Sequence, residues 1–70
     1  MEKVKVQIVW NKNYGAVVDL LPGCVAVDET LPGVKEGIQS AIEMHLEVMR
    51  EDGDKIPVQF RGDYVLVFEL

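Results

Sequence analysis

The fold is decided by TLPGVKEGIQSAIEMHLEVMREDG, residues Thr30 to Gly53. At about 100° per residue, Leu31, Val34, Ile38, Ala41, Ile42, His45, Leu46, Val48 and Met49 fall on one broad side of a helix. Glu36, Gln39, Ser40, Glu43, Glu47, Arg50 and Glu51 fall on the other. No other stretch of the chain sustains that period. A helix divided in this way must lay its apolar side on something, and in a chain this short that something is a sheet. Thr30 is a natural N-cap, with Asp28 and Glu29 at the positive end of the helix dipole. Pro32 suits a first turn, where its missing N–H would be unpaired anyway. Gly33 and Gly37 weaken the helix start by up to about 1 kcal/mol each, unless small residues there let the helix approach the sheet. Gly53 is placed to end the helix in the left-handed conformation.

Before the helix, Lys3 to Trp10 alternates strictly, with Val4, Val6, Ile8 and Trp10 on one face. That is a half-buried strand. Asn11 to Gly15 has the chemistry of a chain reversal, so Gly15 to Leu21 should return as an antiparallel second strand. In that strand Ala16, Val18 and Leu20 share one face, and Val17, Asp19 and Leu21 the other. Pro22-Gly23 breaks the run, and Cys24 to Asp28 forms a short third strand. After the helix, Pro57 lies in a linker, Phe60 to Asp63 reads as a turn, and Tyr64 to Leu70 alternates as a last strand. The expected class is α+β in the order β-β-β-α-β: an antiparallel three-stranded meander plus a fourth strand, with one helix on one face. There is no internal repeat and no low-complexity segment.

Seventy residues make one small domain, residues 1–70. Its core should give no more than about 3–5 kcal/mol without help. One cysteine, Cys24, excludes an internal disulfide, and no Cys/His cluster suggests zinc. A homo-oligomer or a partner protein is the remaining source of help. One helix covers one face of a sheet, and Val9, Val17, Leu21, Val65 and Val67 leave the other face short of polar residues. That face, or an exposed strand edge, should therefore meet another chain. The plainer reading is a twisted sheet with half-exposed valines. The net charge is −5, which disfavours a polyanion and suits a basic protein partner. No apolar run is long enough to span a membrane, and the lone cysteine fits a reducing cytoplasm.

Catalytic chemistry finds little support. His45, the only histidine, has no serine or cysteine placed to use it, so a packed imidazole is the better reading. Cys24 has no neighbouring cation in sequence to lower its pKa. The β-β-β-α-β order is the first half of a ribonuclease H-like fold, whose enzymes hold two metals on acids that include one on the first strand. Lys3 to Trp10 carries no acid. A metal-dependent nuclease would have to bring Asp19, Asp28 and Glu43 within about 4–8 Å of one shared site. No phosphate-binding glycine loop is present, and no cofactor is expected.

Four segments in sequence carry a resemblance. They are Asp19-Leu20-Leu21-Pro22-Gly23-Cys24-Val25, Asp28-Glu29-Thr30-Leu31, Ala41-Ile42-Glu43-Met44-His45-Leu46-Glu47, and Glu51-Asp52-Gly53-Asp54-Lys55-Ile56-Pro57. Each alone is weak. In this order and spacing, over nearly the whole chain, they resemble the HicB family of type II toxin–antitoxin antitoxins. Pro32-Gly33 departs from the family pattern, which more often has acidic helix formers there. The resemblance implies a partial ribonuclease H-like fold lacking the catalytic acids, and a binding domain instead of an enzyme. It implies a partner, HicA, a small basic mRNA-cleaving toxin whose active site the antitoxin blocks. It also implies DNA binding and operon repression only through a C-terminal domain, which is not among these 70 residues and would begin about where they end. Tyr14, Asp19, Pro22 and Gly23 are the positions expected near the toxin interface.

Overall fold

The computed structural model describes residues 1–70. Four strands and one long helix form two layers: β1 (Glu2–Asn11), β2 (Asn13–Val17), β3 (Val25–Asp28), α1 (Leu31–Asp52) and β4 (Tyr64–Glu69), with a short 3₁₀ helix at Val58–Phe60 before β4. The sheet order is β3-β2-β1-β4. β1 pairs antiparallel with β2, and β2 antiparallel with β3. β4 returns beside β1 in parallel, which requires the long crossover that α1 supplies.

The core is the predicted meeting of two stripes. Val34, Ile38, Ile42 and Leu46 are buried under α1 against Val4, Val6, Ile8, Ala16 and Val18. Val48, included in the predicted apolar side, is exposed, because the buried arc is narrower than the sequence arc. Trp10 continues the inner row of β1 but is 62% exposed, since α1 begins at Leu31 and leaves that end of the sheet open. It packs instead on Tyr14, with ring centroids 4.8 Å apart.

Three local expectations are corrected. The reversal after β1 centres on Lys12, which takes φ 70°, and Gly15 lies inside β2 opposite Val9 and Val27. A Cβ at Gly15 would stand 3.1 Å from a Val9 methyl, so the position is crowded even though it is not the turn. The second strand ends at Val17, four residues early. Two consecutive turns follow, with the Leu21 N–H donating to Val18 O (3.1 Å) and the Cys24 N–H to Leu21 O (3.0 Å). The second is a type II turn, with Pro22 setting φ and Gly23 taking φ 86°. These turns break the alternation, so Leu21 points into the core and Leu20 outward. Phe60, read as turn, is buried and meets Tyr64 edge-on at 5.0 Å.

The helix ends match their sequence signals. Thr30 Oγ1 accepts the Gly33 N–H at 3.0 Å. Asp28, the last residue of β3, accepts both the Thr30 N–H (2.9 Å) and the Thr30 hydroxyl (3.0 Å). These bonds, the backbone one foremost, hold the Asp28 carboxyl below its ordinary pKa. At the far end Gly53 takes φ 72°, and the Gly53 and Asp54 N–H groups close on the Arg50 and Met49 carbonyls in a Schellman arrangement.

The two helix glycines have different reasons. A Cβ on Gly33 would collide with the Asp28 carboxylate and lie 2.8 Å from Thr30 Oγ1. A Cβ on Gly37 would make ordinary contact with Ala26 at 3.5 Å. Gly33→Ala should therefore destabilise by about 1–2 kcal/mol through loss of the cap. Gly37→Ala should stabilise by about 0.5–1 kcal/mol through helix propensity. Urea midpoints moving in opposite directions would show it; equal shifts would refute the cap as the reason for Gly33.

Candidate docking surface

Two concave surfaces flank α1, one on each side, because a single helix is narrower than a four-stranded sheet. On the β3 side, Gly23, Cys24 and Val25 face Ala41, Met44, His45, Val48, Met49 and Asp54 across a groove of about 480 Å³. The type II turn forms one wall, which is why Pro22 and Gly23 matter to its shape. The helix supplies the other wall, with Met44 67% and Val48 53% exposed. Exposed methionine and valine beside a concave floor suit a protein partner.

One acid, Asp54, lines this groove. The last turns of the helix beside it carry Glu47, Glu51 and Asp52 against Arg50, all exposed. His45 is half-buried and lines the groove instead of lying at the centre of the buried stripe. Cys24 is buried, and that burial pushes its thiol pKa up, so it stays a protonated packing residue.

The four positions expected near an interface occupy two places. Asp19, Pro22 and Gly23 are exposed and together in the turns beside the groove. Tyr14 is half-buried at the opposite end of β2, about 13 Å along the strand from Val18 by the usual rise per residue. It belongs to an aromatic surface with Trp10, next to the start of α1. Met44 and Val48 are the groove residues that sequence reasoning did not single out. Both sit on the predicted helix, and only the position of the turn against it makes them a wall.

The carboxylates do not converge as metal-dependent nuclease chemistry would need. Asp28 is committed to the helix cap, Glu43 overlooks the opposite flank beside Tyr64, and Asp19 lies in the exposed turn. Nowhere do three His, Cys, Asp or Glu side chains gather in a ligand-like group. No helix is long and apolar enough to cross a membrane.

The outer face of the sheet is mixed. Val9, Val17, Val25 and Val27 form an exposed apolar corner over β1, β2 and β3, while Lys3, Lys5 and Gln7 separate it from Val65 and Val67. Leu21, expected on this face, is not on it. Residues 3–65 match the family model described as HicB_like antitoxin of bacterial toxin-antitoxin system. No curated protein and no solved structure matches the chain.

Proposed function

The chain belongs to the HicB-like antitoxin family of bacterial toxin–antitoxin systems, and from that membership we propose that it neutralises a HicA-like mRNA-cleaving toxin by sitting directly on it. The observation that supports this reading is the apolar groove between the Pro22-Gly23 turn and α1, with Asp54 in its lining and an excess of acids on the last turns of the helix beside it. A basic toxin is drawn to these acids by long-range attraction, and apolar side chains of the toxin then seat against Met44 and Val48. The domain acts by binding, with no bond made or broken. Operon autoregulation in this family reading belongs to a C-terminal DNA-binding domain, since a surface of net charge −5 repels DNA.

The test is to mix the protein with a co-encoded basic HicA-type toxin, and to follow both binding by calorimetry and suppression of RNA cleavage. Met44→Lys/Val48→Lys alters two exposed side chains and should leave the fold intact. It is expected to weaken binding by about a hundredfold, the size of an interface hot spot. Raising salt should slow association of the unaltered pair. A protein that neither binds nor suppresses the toxin removes the proposal.

A further inference from the structure

The other flank of α1 carries a different surface. β4 is the end strand of the sheet, so one of its edges has no neighbour. The Glu2 N–H donates to Asp63 O at 3.3 Å, and Gln7 Nε2 donates to Glu69 O at 3.2 Å. Backbone groups alternate in direction along a strand, so those of Asp63, Val65, Val67 and Glu69 turn toward β1. Those of Tyr64, Leu66 and Phe68 turn outward, unpaired. Nothing blunts this edge: β4 has no proline, no bulge and no lysine, and its one charge, Glu69, is engaged by Lys5 at 3.7 Å.

The side chains of β4 are apolar on both faces. Tyr64, Leu66 and Phe68 are half-buried beside a groove of about 460 Å³ whose far wall is Gln39, Ile42 and Glu43. Val65 and Val67 stand exposed on the outer face. A strand that pairs here must be apolar on both faces too. Within this chain β4 itself has that property from Tyr64 to Phe68.

The helix above the edge makes the choice specific. Lys35, Gln39 and Glu43 are four residues apart and form one stripe overlooking β4. Lys35 lies over the Phe68 ring, 5.1 Å from its centre, and Glu43 stands by Tyr64. Along β4 the stripe therefore reads positive, neutral, negative. An antiparallel copy of the same stripe is its complement.

We propose that two copies of this chain join through their β4 edges, antiparallel about a two-fold axis at Leu66, to make one continuous eight-stranded sheet. Leu66 pairs with its own copy, and Tyr64 pairs with Phe68 on either side, so the outward backbone groups of all three are satisfied. Lys35 of each copy then comes toward Glu43 of the other, with the two Gln39 residues nearest the axis. The contact is isologous and closes on itself. The net charge of −5 opposes approach, but beyond about 8–10 Å it is screened at physiological salt. The groove beside the Pro22-Gly23 turn is on the opposite flank of α1 and stays open. The pairing does not depend on the antitoxin reading.

Sedimentation equilibrium of the whole chain tests it. The unaltered protein should be a dimer. Lys35→Glu and Glu43→Lys should each weaken the dimer by about tenfold, because the two-fold repeats each loss twice. The double exchange Lys35→Glu/Glu43→Lys should restore it. The two positions are about 12 Å apart on one helix, so no rescue can arise within a single copy. Val65→Glu/Val67→Glu sets carboxylates opposite one another across the pair while placing them beside Lys3 and Lys5 of their own chain, and should give a folded monomer by circular dichroism and sedimentation. A monomer at about 1 mM, where even a weak pair would form, overturns the proposal. So does a dimer indifferent to the exchanges, or one broken instead by Val27→Lys on the outer valine corner.

Discussion

Ile38→Ala is expected to leave most of the chain unfolded at 25 °C. Ile38 is fully buried at the middle of the stripe that joins α1 to the sheet, between Val34 and Ile42. Truncating a buried Ile to Ala costs about 2–5 kcal/mol, from lost transfer energy and the cavity left behind. A domain of this size has only about 3–5 kcal/mol in total, so the loss consumes nearly all of it. Far-ultraviolet circular dichroism with a urea titration measures it. The nearby Ser40→Ala, on the exposed side and outside both grooves, is the control and should shift the midpoint little. Both should be compared at one protein concentration, because any self-association adds stability by mass action. An unchanged midpoint for Ile38→Ala would mean that the helix is not what holds the sheet.

The second large effect separates two adjacent leucines. Leu21 is 1% exposed and Leu20 is 37% exposed, although both follow a strand whose alternation puts Leu20 inside. Leu21→Ala should cost about 2–4 kcal/mol, and Leu20→Ala less than about 1 kcal/mol. The inversion comes from the two turns that begin at Val18, each closed by a backbone hydrogen bond. Urea midpoints for the two variants decide between the turn geometry and a continued strand. If Leu20→Ala proved the more damaging, the chain from Val18 to Leu21 would have to be strand. The same pair bears on the groove: losing Leu21 loosens the Pro22-Gly23 wall from beneath.

The order of elements along the chain, the three-stranded meander, the helix with both its caps, and the buried rows of β1 and α1 could all be read from residue types. Each depends on neighbours a few positions apart: alternation from Val4 to Ile8, the 3.6-residue period from Val34 to Leu46, the Thr30 cap, the Gly53 stop. The candidate site was legible in half. Pro22-Gly23 announces a turn, and the acids from Glu43 to Asp54 announce a charged surface. That Met44 and Val48 face that turn was not legible, because nothing local records which flank of the helix lies over β3.

Local sequence therefore determined the helix with its ends, the presence of the four strands and the buried rows of β1 and α1, since those follow from backbone sterics and hydrophobic period along one stretch of chain. Tertiary structure alone decided that Leu21 turns inward, that Phe60 joins the core, that Trp10 is left uncovered, and that β4 ends the sheet with one edge bare. Each of these depends on where another element comes to lie: the turns after β2 against the core, the 3₁₀ helix against β1, the start of α1 against the hairpin, β4 against β1. A helix about 10–12 Å wide cannot cover four strands spaced nearly 5 Å apart. The two flanks it leaves open, one walled by the Pro22-Gly23 turn and one edged by β4, are products of that mismatch.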